Sequence, residues 1–120
     1  MAEHTLSDVA DAKLVHLTTR GQRTGKPHTV EVWFANSDNV VYLSHEGDYT
    51  DWMKNIQKDG TVNLEIDGIR FEGEARIVSE GESFQKGKHT LYLKYYGEAD
   101  SDVIDDWFSE SAIVEISLDK

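Results

Sequence analysis

Residues 13–35 read KLVHLTTRGQRTGKPHTVEVWFA, two strand-like runs around a Gly-rich basic turn. In Lys13 to Thr19, Leu14 and His16 fall on one face and Val15 and Leu17 on the other. In His28 to Ala35, Val30, Val32 and Phe34 face one way, and Thr29, Glu31 and Trp33 the other. Between them Arg20 to Pro27 is a turn, and Pro27 is the only proline. The stretch from Ala12 to Val30 contains no acid but carries Lys13, Arg20, Arg23, Lys26, His16 and His28. The whole chain has formal charge −11, which leaves −15 on the remaining residues. Glycines allow close backbone approach, hydroxyls donate hydrogen bonds, and Arg and Lys supply charge. Together they suit phosphate or carboxylate groups. The plainer reading is a polar hairpin turn that is basic by composition.

Working outward, Leu6 to Ala12 reads as a short helix with Ser7 as its cap. Ser37-Asp38-Asn39 marks a turn, and Val40 to Ser44 a third strand. A loop, His45 to Tyr49, leads to Thr50, which can cap a helix running to about Lys58. Thr61 to Ile66 and Ile69 to Val78 are strands joined by Asp67-Gly68, a strong hairpin signal. Gly81 to Tyr96 fits a helix around Phe84, Leu91 and Tyr95, interrupted by Gly87. Asp102 to Phe108 reads as a further helical turn and Ala112 to Leu118 as a closing strand. Six short strands, mostly hairpin-linked, predict a mainly β (α+β) fold. The expected form is a small closed or half-open barrel with short peripheral helices.

A chain of 120 residues suits one domain, 1–120, with one core. No apolar stretch approaches membrane-spanning length. Met1-Ala-Glu-His4 lacks the basic-then-apolar pattern of a secretory signal, so a cytoplasmic location is expected. With no cysteine there is no disulfide, thiolate metal site or cysteine nucleophile. A pI near 4.7 argues against nucleic-acid binding, which depends on phosphate neutralisation. Glu98 to Glu110 holds six acids and no base, a solvated acidic segment.

The five histidines show no HExxH or paired-ligand spacing, so no metal site is expected. His45-Glu46 could be a metal or acid/base pair, or an exposed loop. Gly21-Gln-Arg-Thr-Gly25-Lys26 imitates a nucleotide phosphate loop with the wrong spacing, and no GxGxxG opens a helix. Trp52 has polar Asn55 one turn on. An indole beside an amide could line a flat aromatic ligand, or Trp52 could anchor the helix on the barrel. Spacing alone leaves open whether the basic turn and the loop after the third strand share one end of the barrel.

Leu17-Thr-Thr-Arg-Gly-Gln-Arg-Thr-Gly-Lys-Pro-His-Thr-Val30, Trp33-Phe34, Val41-Tyr-Leu-Ser44 and Asp51-Trp-Met-Lys-Asn55 resemble the deazaflavin (coenzyme F-420)-dependent nitroreductase family. That family belongs to the split β-barrel group related to pyridoxamine-phosphate oxidases. The chain departs from many relatives at Ser44-His-Glu-Gly47, where they carry Ser-Lys-Gly-Gly. The resemblance implies a six-stranded split β-barrel that binds coenzyme F-420, with FMN as the alternative. It implies that Arg20, Gly21, Arg23, Thr24, Gly25, Lys26 and His28 hold the anionic tail, and that Ser44, Trp52 and Asn55 line the ring. The reaction implied is hydride transfer from reduced coenzyme to a quinone, nitroaromatic or similar small-molecule acceptor. Ser44 would hydrogen-bond ring or acceptor, and Tyr95 or Tyr96 would donate a proton. The alternatives are an FMN-dependent oxidoreductase or flavin reductase, or a non-catalytic flavin-binding barrel. A homodimer completing the ligand groove is a further expectation.

Overall fold

The structure is a computed structural model and describes Val9 and residues 12–20, 26–37, 39–47 and 50–118. The chain forms β1 (Leu14–Arg20), β2 (Pro27–Trp33), β3 (Ala35–Ser37), β4 (Val40–Glu46), α1 (Asp51–Lys58), β5 (Thr61–Ile66), β6 (Ile69–Val78), α2 (Gly81–Tyr96), α3 (Ser101–Trp107) and β7 (Ser111–Leu118). The expected helix over Leu6 to Ala12 and the tip of the basic turn lie outside the described residues.

The seven strands make one antiparallel sheet in the order β2-β1-β5-β6-β7-β4-β3. It curls into a half-barrel whose edge strand β2 packs beside β4. The strand count corrects the expected six. The run from His28 to Ala35 is divided at Phe34. Before it, β2 pairs with β1 at one edge of the sheet. After it, β3 pairs with β4 at the other, Ala35 opposite Tyr42. Alternation survives the switch: Val30, Val32 and Phe34 all join the inner cluster, while Ala35 turns outward. A second difference is β4, which runs to Glu46 instead of ending at Ser44. His45 and Glu46 find partners in Ala112 and Ser111 at the start of β7.

The switch at Phe34 takes its backbone out of both ladders while the residue is fully buried. Such groups need other partners. They come from the C-terminal end of α2. The Tyr95 hydroxyl accepts the Phe34 N–H at 3.2 Å and reaches the carbonyls of Phe34 and Lys13. Lys94 Nζ donates to the carbonyls of Phe34 and Ala12 and lies 3.8 Å from the Phe34 ring centroid. Phe34 N–H also reaches the Lys13 carbonyl at 3.3 Å. Trp33 stacks on Tyr95 with centroids 4.8 Å apart.

Inside the curl, Val15, Leu17, Phe34, Val41, Leu43, Val62, Leu64, Ile66, Val114 and Ile116 form the core with Trp52, Met53 and Ile56 of α1. A helix of eight residues is marginal alone. Thr50 occupies the N-cap position but makes no side-chain cap bond, so buried side chains hold α1 in place. On the outer face α2 and α3 cover a second cluster: Ala35, Tyr42, Val78, Leu91, Ile104, Phe108 and Ile113. Gly87 sits where α2 presses on the sheet. A Cβ there would lie 2.7 Å from Ile113 and 2.9 Å from Tyr42. The residue that interrupts the helical pattern is the one that permits this close packing. Asp67 and Gly68 both have positive φ, 52° and 80°, as a two-residue hairpin turn requires.

Candidate functional site at the barrel mouth

The antiparallel register places the end of β1, the start of β2, the end of β4 and the start of α1 at one end of the half-barrel. The basic turn and the β4–α1 segment therefore share one mouth. Helix α1 packs against β1, β2 and β6 across it.

Arg20 closes β1 and Lys26 precedes β2, both exposed. His28 stands opposite Thr19, exposed, on the face that carries Val30 and Val32 inward. These three cations or imidazoles stand on the rim. Arg20 also acts on Asp59, just past α1. The Asp59 carboxylate accepts the Thr61 N–H at 3.0 Å. That bond, a second one from the Thr61 side chain and the charge of Arg20 hold the Asp59 carboxyl below its ordinary value, against a smaller desolvation effect. Gly21, Arg23, Thr24 and Gly25, expected to complete the anion-binding turn, lie outside the described residues.

Beneath the rim, Asn55 Nδ2 donates to Thr19 Oγ1 at 3.0 Å, with both residues buried. Trp52 is 6% exposed and belongs to the inner core. His45, inward between the faces of β4, meets Trp52 edge-on with centroids 6.2 Å apart. The structure thus brings together Arg20, Lys26, His28, Trp52 and Asn55 at one mouth, and adds Thr19 and His45. Sequence reasoning had His45 in a loop, paired with Glu46 or simply exposed, and did not place it beside Trp52. The signal that would have found it is parity, because continuing the alternation of Val41 and Leu43 carries His45 inward.

Two expected site residues fall elsewhere. Ser44 pairs with Ile113 and shares the outer face with Tyr42, half-buried, on the opposite side of the sheet from Trp52. Tyr96 is 54% exposed and packs on Tyr92 and Trp107. Its neighbour Tyr95 binds at Lys13, at the far end of a strand about 20 Å long. Burial holds the Tyr95 phenol above its ordinary value, partly offset by its bond to Phe34. Tyr42 is raised by burial and by Glu115, while Arg76 opposes. Arg76 bonds Glu115 at 2.7 Å across β6 and β7, neutralising a mostly buried carboxylate.

Among the described residues no group of three or more His, Asp or Glu could hold a metal ion. None of their helices is long and apolar enough to cross a membrane.

The family described as Pyridoxamine 5'-phosphate oxidase matches residues 1–120. A comparison with curated proteins finds no match. Among solved structures, the chain is similar to the conserved hypothetical protein Rv2991 of Mycobacterium tuberculosis. The TM-score is 0.79 at 22% identity, covering 100% of this chain and 82% of that one. It is similar to an F420 reductase with TM-score 0.65 and 18% identity, covering 100% and 97%. It is also similar to HutZ, the heme storage protein of Vibrio cholerae, with TM-score 0.71 and 11% identity, covering 96% and 88%. At these identities the likeness is one of fold.

Proposed function

Because the chain belongs to the pyridoxamine 5'-phosphate oxidase family, we propose that it is an oxidoreductase using a flavin-type coenzyme. The coenzyme is F-420, with FMN as the alternative. The observation that supports this reading is the convergence of Arg20, Lys26 and His28 on one rim of the barrel, in a chain otherwise strongly acidic. Such a donor set fits the phosphate and carboxylates of a coenzyme tail. A similar fold in an F420 reductase supports the deazaflavin choice.

When bound, the coenzyme supplies the hydride chemistry. The chain's own part is to grip the anionic tail at the rim and to set the ring against the mouth. Trp52 and Asn55 are proposed to form the base of that seat, with His45 beside them. Ser44, on the outer face of the sheet, and Tyr96, packed on Tyr92 and Trp107, have no part in this seat. A quinone, nitroaromatic or similar small molecule is the proposed acceptor, and a second copy completing the groove is part of the same proposal. A cytoplasmic location and independence from nucleic acid belong to it as well.

A second reading is a barrel that binds its ligand without turnover. The similar fold of a heme storage protein favours keeping it. Titrations with F-420, FMN and heme side by side separate the readings. Arg20→Ala with Lys26→Ala should weaken coenzyme binding by roughly 2–4 kcal/mol, less than the ~3–6 kcal/mol of two full charge-assisted bonds because both side chains are exposed to screening by solvent. Affinity should also fall with added salt. Undiminished affinity in the double variant removes the rim from the site. Tight binding with no oxidation by any acceptor supports the second reading.

A further inference from the structure

On the outer face of the sheet, the helical side of the molecule leaves aromatic surface uncovered. Tyr96 of α2 and Trp107 of α3 are 54% and 56% exposed, with Val103 and Leu93 exposed beside them. Tyr92, Tyr96 and Trp107 form a closed set of ring contacts. Centroids are 5.1 Å apart for Tyr92–Tyr96, 4.9 Å for Tyr96–Trp107 and 6.2 Å for Tyr92–Trp107. The rings support one another as a platform whose members are tilted by 43°, 60° and 80°, so that the exposed ring faces are those of Tyr96 and Trp107.

The segment that carries Trp107 is the most acidic in the chain, with six acids and no base from Glu98 to Glu110. Asp105 is committed to Lys88 at 2.6 Å. Glu98, Asp100, Asp102, Asp106 and Glu110 form no ion pair with any described residue. The platform is therefore apolar and π-rich at its centre and anionic around it. That combination complements one kind of group above others. A guanidinium stacks flat on aromatic rings and donates to carboxylates in the same plane, which an ammonium does less well. A second copy of the chain brings another −11 of charge, so self-association is opposed here.

We propose that the Tyr92–Tyr96–Trp107 platform docks an arginine-rich segment of a partner protein. The surface lies on the helical side of the sheet, opposite the face that holds Trp52.

Calorimetric titration of the full chain with nona-arginine and nona-lysine tests this. Nona-arginine should bind several-fold tighter than nona-lysine and weaken as salt rises. Tyr96→Ala with Trp107→Ala should weaken nona-arginine binding about tenfold, with the melting temperature serving as the check on folding. If that double variant unfolds, Trp107→Leu alone is used and should show about a threefold loss. Asp102→Asn with Asp106→Asn should also weaken binding, whereas Glu72→Gln with Glu80→Gln, the same charge change on other surfaces, should not. Equal binding of the two peptides that survives loss of the rings overturns the proposal. So does an equal effect of the control pair, because attraction would then be net charge alone. Sedimentation showing self-association that the ring variants abolish also overturns it, since the occupant would be a second copy.

Discussion

Replacing Tyr95 with Phe removes one oxygen and leaves the ring that stacks on Trp33. In the structure that oxygen serves the backbone of Phe34, where the chain leaves one sheet edge for the other. The Phe34 N–H keeps one acceptor, the Lys13 carbonyl at 3.3 Å, and the Phe34 carbonyl keeps Lys94 at 3.0 Å. The variant therefore loses about two part-buried bonds, without leaving either group wholly unpaired. At roughly 0.5–1.5 kcal/mol per bond, the expected destabilisation is about 1–3 kcal/mol. For a domain of this size that lowers the melting temperature by roughly 3–10 °C. Tyr96→Phe, one residue on and exposed, should stay within about 0.5 kcal/mol of the parent. Urea unfolding gives the difference if the slope is unchanged, and hydrogen exchange at the Phe34 amide localises it. A Tyr95→Phe protein as stable as the parent, with the Phe34 amide equally protected, would refute the clasp.

Three further outcomes are expected. Gly87→Ala gains about 1 kcal/mol of helix propensity but forces a methyl to within 2.7 Å of Ile113 and 2.9 Å of Tyr42. Overpacking costs about 1–3 kcal/mol, so the melting temperature should fall, and a rise would show that α2 can lift off the sheet. Asn55→Ala strands the buried Thr19 hydroxyl and should cost about 1–3 kcal/mol of stability, while Trp52→Ala should cost about 3–5 kcal/mol. If Trp52→Phe keeps both binding and turnover intact, Trp52 serves only the core. In alkali, Tyr42 and Tyr95 stay protonated in the folded state above the unfolded value of about 10. Their contribution is complete below that pH and is lost as pH rises through the folded values. Tyr95→Phe should flatten the alkaline fall in stability, and an unchanged slope would count against it.

The local code was readable where one segment determined its own state. Val30, Val32 and Phe34 announced an inward face, Asp67-Gly68 a hairpin, and Thr50 the start of a helix running to about Lys58. What depended on distant partners was hidden. Nothing in the alternation through Phe34 signals a change of sheet edge, because parity is the same on either side. The extension of β4 to Glu46 depends on Ser111 and Ala112, more than sixty residues later. The partner of Asn55 is Thr19, 36 residues earlier, so a polar residue beside Trp52 could be read toward a ligand. Gly87 looked like a flaw in a helix because its reason lies in Ile113 and Tyr42.

The joint at Phe34 also sets where this chain can change length. Residues 27–33 and 35–37 are read by two different neighbours, β1 and β4, from one unbroken backbone. A residue inserted or deleted there reverses inside and outside for every position on one side of the joint. Phe34 would turn outward or Ala35 inward, and one edge of the sheet would present its apolar row to water. The connection after Glu46 leads from a strand to a helix, so its length sets no strand parity. Variation in length should therefore gather at the mouth, where the ligand is proposed to bind, and be absent from the seam.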